Sequence, residues 1–135
     1  MSLVAYRPEY HVRVDTTRNR LVYERFEELT LAVDLPYYLT DLRRALDQLQ
    51  PGFTALSDLR RTLGPNLHLL PVFVSSHTML VEAGISMMAE VHPLAPTMYQ
   101  ISRVVRELTN LPTRQFTDRA EAEAFLDSFP LPPVS

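Results

Sequence analysis

The chain has 135 residues, 46% of them hydrophobic, and a formal net charge of −3. That length is enough for one domain with a real core, and the weak negative charge offers no field for nucleic acid or an anionic membrane. Cysteine and lysine are both absent, which excludes disulfides, thiolate nucleophiles, Schiff-base lysines and a Gly-Lys phosphate loop.

No apolar run reaches the roughly 20 residues of a membrane helix. Met1–Tyr10 lacks the apolar core of a secretory signal. The expectation is one domain over residues 1–135, cytoplasmic and inserted in no membrane, with a peripheral arm at 1–9 and a peripheral tail at 130–135.

After the arm, Tyr10, Val12 and Val14 alternate with His11, Arg13 and Asp15, the period of a half-buried strand. Thr17–Arg20 is turn-like, and Leu21–Phe26 returns as a second strand, so residues 10–27 read as an antiparallel hairpin. Glu27–Val33 reads equally as strand extension or loop. Asp34 is a helix cap with Pro36 in the first turn. Leu35, Leu39, Leu42, Leu46 and Leu49 then form one apolar stripe, with Asp41, Arg43, Arg44, Asp47 and Gln48 mostly outside.

Pro51-Gly52 ends that helix, and Phe53–Leu59 follows as a central strand covered on both faces. Phe53, Ala55 and Leu59 are assigned to one layer, Thr54 and Leu56 to the other. A second helix begins near Leu70, because Pro71 is tolerated only in the first turn. Its inner face is read as Leu70, Val74, His77 and Val81, and Gly84 closes it.

Ile85–Val91 is a further strand, with Ile85, Met87, Ala89 and Val91 on one side. Pro96 opens a third helix with an inner stripe of Met98, Ile101, Val105 and Leu108. Thr113–Phe116 is an edge strand. Asp118 caps a last helix, with Glu121 as its capping-box partner and Ala122, Phe125 or Leu126, and Phe129 inward. Alternating strands and helices imply crossovers onto a largely parallel sheet. The fold class is therefore α/β: a mixed sheet with an N-terminal antiparallel hairpin, then β-α crossovers and four helices.

Four features in this order resemble the SpoIIAA-like, or STAS-type, family. They are the leading hairpin, the strand ending Ser57-Asp58-Leu59-Arg60, the strand Met87–Val91 after a Gly-terminated helix, and Arg114–Asp118 leading into Glu121-Ala122 and Phe125-Leu126. The resemblance spans residues 10–129. It implies a bacterial, non-enzymatic regulatory domain similar to anti-sigma-factor antagonists, which bind a kinase-type partner and are switched by phosphorylation. In that family the acceptor serine lies after the strand equivalent to Phe53–Leu59. Here the loop Arg60–Asn66 lacks the Asp-Ser motif, and Thr62 is its only hydroxyl.

Asp58, Arg60, Arg61 and Thr62 are accordingly the candidate partner-binding residues, at the carboxyl end of a strand where open α/β sheets bind ligands. The plainer reading pairs Arg60 with Asp58 and leaves Arg61 and Thr62 solvated. A second copy of the chain is another expected partner, through an uncovered strand edge. Met79, Met87, Met88 and Met98 support an alternative, a pocket for an apolar or amphipathic ligand in the manner of the SEC14-like fold. A third reading is an enzyme whose site assembles in space. No catalytic residue, metal or cofactor is assigned: the four histidines show no ligand spacing, and no Gly-x-Ser-x-Gly elbow is present.

Overall fold

The computed structural model describes residues 1–26, 35–62, 67–93 and 107–129. The expectations for Glu27–Asp34, for most of the third helix including Met98, and for the tail lie outside these residues. The segment expected as an arm is instead a strand, β1 (Ser2–Tyr6), paired antiparallel with β2 (Tyr10–Asp15). Its short sequence alternates too weakly to announce itself, and pairing with β2 supplies what the pattern lacks. The hairpin of β2 with β3 (Arg20–Phe26) is as expected. Its turn uses Asn19 at φ +52°, a left-handed conformation that asparagine tolerates. The Asn19 side chain also bonds both the N–H and the carbonyl of Gln50 at 2.9 and 3.0 Å, which holds the approach to the next strand against the turn.

Beyond β3 every strand pairing is parallel. β4 (Thr54–Arg61), β5 (Met87–Val91) and β6 (Thr113–Phe116) are added in chain order, giving one six-stranded mixed sheet ordered β1-β2-β3-β4-β5-β6. α1 (Tyr38–Leu46) follows β3, α2 (Leu70–Glu82) follows β4 after a 3-10 turn at Leu67–Leu69, and α3 (Arg119–Asp127) follows β6. Residues 107–109 are also helical. None of the described helices is long and apolar enough to cross a membrane.

Two cores form because β4 is covered on both faces. On one side Leu42 and Leu46 of α1, Leu80 of α2 and the flanking Leu35 and Leu49 pack with Tyr10, Val12, Val14, Leu21, Phe53 and Ala55. On the other, Ala122 and Leu126 of α3 close over Val22, Leu56, Ala89 and Val91. Full burial of a side chain such as Leu56 contributes about 1.5–3 kcal/mol. α3 is pinned at both ends. Arg119 in its first turn reaches Glu24 and Asp58, and Asp127 in its last accepts from the buried Arg20 at 2.9 Å. Asp118 caps it by accepting from the Ala120 N–H at 3.0 Å.

Three assignments of side-chain direction are corrected. Asp41, placed outside, is buried on α1. The inner face of α2 runs through Phe73, Ser76 and Leu80, while Val81 is exposed. α2 is apolar nearly all round, so periodicity does not choose its face, and Ser76 is admitted because its hydroxyl donates to the Phe73 carbonyl at 2.9 Å. Ile85 packs on the side of α1 and α2, opposite Met87, Ala89 and Val91, which lie under α3. It belongs to the helix ending: Gly84 at φ +93° donates to Val81, and Ile85 donates to Leu80 at 3.1 Å. That is a Schellman closure with the Ile85–Leu80 apolar contact that accompanies it.

Candidate functional site

β4 delivers Asp58, Arg60, Arg61 and Thr62 to one end of the sheet, and they do three different things. Asp58 is buried. It accepts from the Arg60 backbone N–H at 3.2 Å, from Arg60 Nε and Nη2 at 3.0 and 2.8 Å, and from Arg119 Nη1 at 3.2 Å. Arg119 Nη1 also donates to Glu24 at 2.8 Å, and Glu24 pairs with Arg13. A ladder of alternating charge thus crosses β2, β3, α3 and β4. Burial pushes the Asp58 carboxyl up, but hydrogen bonds from Arg60 and the charges of Arg60 and Arg119 outweigh it and hold the group below its ordinary value. Arg60 is spent on Asp58, as the plainer sequence reading has it.

Arg61 departs from simple alternation. β3 and β4 are in register from Arg20↔Thr54 to Glu24↔Asp58, but the next partners are Phe26 and Arg61. β4 carries an extra residue there, a bulge that re-aims the side chain beyond it. Leu59 packs into the core under α1 and α2, and Arg61 swings to the opposite face, onto the side that holds Asp58 and Arg60. Its guanidinium lies 4.9 Å over the Phe26 ring. Phe26 contacts His11 at 4.6 Å, and His11 stacks on Tyr6 at 4.2 Å and 16°. Burial and the neighbouring Arg13 charge hold the His11 imidazole below its ordinary value, so the ring is neutral near pH 7.

Tyr6, Arg7, Pro8, His11, Phe26 and Arg61 enclose a concavity of about 240 Å³. Its lining holds two guanidiniums and an imidazole but no carboxylate. Among the described residues, α3 packs on β4, β5 and β6, and no helix covers this face of β1 and β2. The sequence signals for the site were the outward His11 and the aromatic Phe26 at a strand end. The bulge that joins them to Arg61 has no sequence signature. Thr62 is half-buried, and its hydroxyl donates to the Leu59 carbonyl at 2.7 Å.

The other face of the sheet holds a second polar feature that was not expected. Tyr23, Ser57, Glu90 and Gln115 are register partners across four strands. Tyr23, Tyr38, Ser57, His77 and Met88 line an internal cavity of about 30 Å³, room for one or two waters. His77 Nδ1 lies 2.7 Å from the Phe73 carbonyl, so Nδ1 carries the proton and Nε2 is the acceptor. Burial lowers the His77 pKa. Ser76 Oγ is 3.3 Å from the same Nδ1, yet its own proton also goes to Phe73. An imidazole nitrogen that already bears a proton does not activate a hydroxyl.

Of the four candidate methionines, Met79 and Met88 pack in the core under α1 and α2 and Met87 in the core under α3, with the sheet between them. Met98 lies outside the described residues. No group of three or more described His, Asp or Glu residues is placed to hold a metal. Comparison with family models, with curated proteins and with solved structures found no match to this chain.

Proposed function

We propose that the chain is a non-enzymatic regulatory domain of the SpoIIAA/STAS type, which docks a protein partner beside the carboxyl end of β4. The sequential sheet, with strand–helix units added one after another beyond a hairpin, supports the fold assignment. The observation that carries the docking reading is the bulge at the end of β4. It turns Arg61 onto the face that holds Asp58 and Arg60, next to sheet surface that no described helix covers. Thr62 stands where the resemblance would seek a phosphate acceptor, but its hydroxyl is held by Leu59. The reading is therefore of a constitutive docking surface.

The ligand-pocket alternative has less support, since about 30 Å³ beside Met88 holds water and not a lipid chain. The docking reading is tested by affinity capture from the native host with wild-type protein and with Arg61→Glu. A captured protein that is lost with Arg61→Glu, and that re-forms a complex from purified components, supports it. Failure of every captured candidate to re-form a complex with the wild type would overturn it.

A further inference from the structure

We infer that β1 pairs antiparallel with β1 of a second copy of this chain, about a two-fold axis that sets Leu3 opposite Tyr6 of that copy. β1 is an edge of the sheet: among the described residues it pairs with β2 alone. An open edge presents backbone N–H and C=O groups that another strand satisfies, and folded proteins guard such edges with charge, proline or a covering element. The opposite edge, β6, is four residues long and carries Arg114. β1 is five residues long and holds neither a charged side chain nor a proline. Leu3 and Tyr6 on it are 54% and 72% exposed.

A bulge in β1 selects the occupant. Leu3 pairs with Arg13 and Ala5 with Val12, so Val4 is an extra residue, and its carbonyl accepts from Arg44 of α1 at 3.1 Å. In an unbroken strand Leu3 and Tyr6 would point to opposite faces. The extra residue returns them to one face, where Leu3 lies beside Arg13 and Tyr6 stacks on His11. That is the face of β1 and β2 that no described helix covers. The edge is thereby its own complement. An antiparallel pairing that opposes Leu3 to Tyr6 of the second copy also opposes Tyr6 to Leu3 of that copy, the reciprocity of an isologous contact. Aliphatic and aromatic side chains opposed in this way favour the pairing. The row Phe26, His11, Tyr6 then continues onto Leu3 of the second copy. No charge is called on to select the partner, and the paired segments bring no like charges together. Five residues a side is well short of the roughly 20–30 of a standard interface, so the dimer is reversible, with a Kd on the order of 10–100 μM.

Sedimentation velocity from about 5 to 500 μM tests this, and the wild type should pass from monomer to dimer across that range. Leu3→Glu should weaken the dimer at least about tenfold and Tyr6→Ala about fivefold, with unchanged circular dichroism because both side chains are exposed. The chain has no cysteine, so Leu3→Cys and Tyr6→Cys proteins carry one thiol each. Opposed residues have Cβ atoms about 4.5–5.5 Å apart, close to disulfide range. The two proteins, mixed and oxidised, should form the mixed disulfide at least about fivefold in excess of either homodimer. A monomer at every concentration, or assemblies larger than a dimer, would overturn the inference. So would a dimer that Leu3→Glu leaves intact and that yields no mixed disulfide, because it would use another surface. The dimer is read with Leu3 and Tyr6 variants and partner capture with Arg61→Glu, so the two readings fail separately.

Discussion

The Tyr10 hydroxyl donates to the Asp41 carboxylate at 2.5 Å, a buried hydrogen bond that ties β2 to α1. Arg7, in the turn between β1 and β2, donates to the same carboxylate through Nε and Nη2 at 2.5 and 3.0 Å. Asp41 therefore fixes α1 against the antiparallel part of the sheet.

Removing the carboxylate leaves Tyr10 buried without its acceptor and Arg7 without its anion. Asp41→Ala is expected to lose roughly 2–3 kcal/mol in urea unfolding. This is below the usual range for a broken buried pair, because Arg7 is 31% exposed. Burial pushes the Asp41 carboxyl up, but Arg7 and Tyr10 hold it below its ordinary 3.8. A carboxyl depressed in the fold stabilises fully above its unfolded value and loses that contribution as pH falls below about 4. Asp41→Asn should flatten that part of the stability profile, and an unchanged acid limb would contradict the assignment.

His77 gives the opposite class of titration. Burial lowers its pKa in the fold from 6.5, with the charge of Glu90 opposing. A base depressed in the fold contributes fully above its unfolded value. The contribution fades as pH falls from about 6.5, at no more than about 1.4 kcal/mol per pH unit. His77→Asn keeps a donor for the Phe73 carbonyl and cannot be protonated. Its stability should change less between pH 6.5 and 5 than the wild type's, as read by urea midpoints across that range.

Gly52 and Gly84 both have φ near +90°, at +91° and +93°, but only one is crowded. A Cβ on Gly84 would meet Pro51 Cβ at 3.1 Å, whereas none lies within 4 Å of a Cβ on Gly52. Gly52→Ala should cost about 1–2 kcal/mol from backbone strain alone. Gly84→Ala should cost about 1 kcal/mol more, since Pro51 must shift. Equal losses in thermal unfolding would show that Pro51 yields freely.

Arg60 and Arg61 are adjacent but should separate experimentally. Arg60→Ala removes a forked partner from the buried Asp58, and a loss of about 1 kcal/mol is expected with little effect on docking. Arg61→Ala, at an exposed bulge, should change stability by less than about 0.5 kcal/mol and weaken capture of the docked partner protein. Unfolding and affinity capture on the same two proteins decide it. Arg60→Ala weakening capture more than Arg61→Ala would reverse the roles.

The hydrophobic period alone determined most of the elements. The leucine stripe of α1, the hairpin of β2 and β3, the two-faced β4 and the Asp118 cap of α3 are local patterns, and each is present, although α1 starts later than its Asp34-Pro36 signal placed it, at Tyr38 with Tyr37 as an N-cap that makes no side-chain bond. Which polar groups meet was decided by tertiary structure. Asp41 looks solvent-facing until Arg7 and Tyr10, distant in the chain, arrive to satisfy it. The face of α2 depends on the Ser76 hydroxyl reaching the Phe73 carbonyl one turn back, and Arg61 joins the aromatic row only through a one-residue register slip. Period counts residues along one segment, whereas burial of a polar side chain depends on partners that other segments bring, which is why the elements could be read from the chain and the site could not.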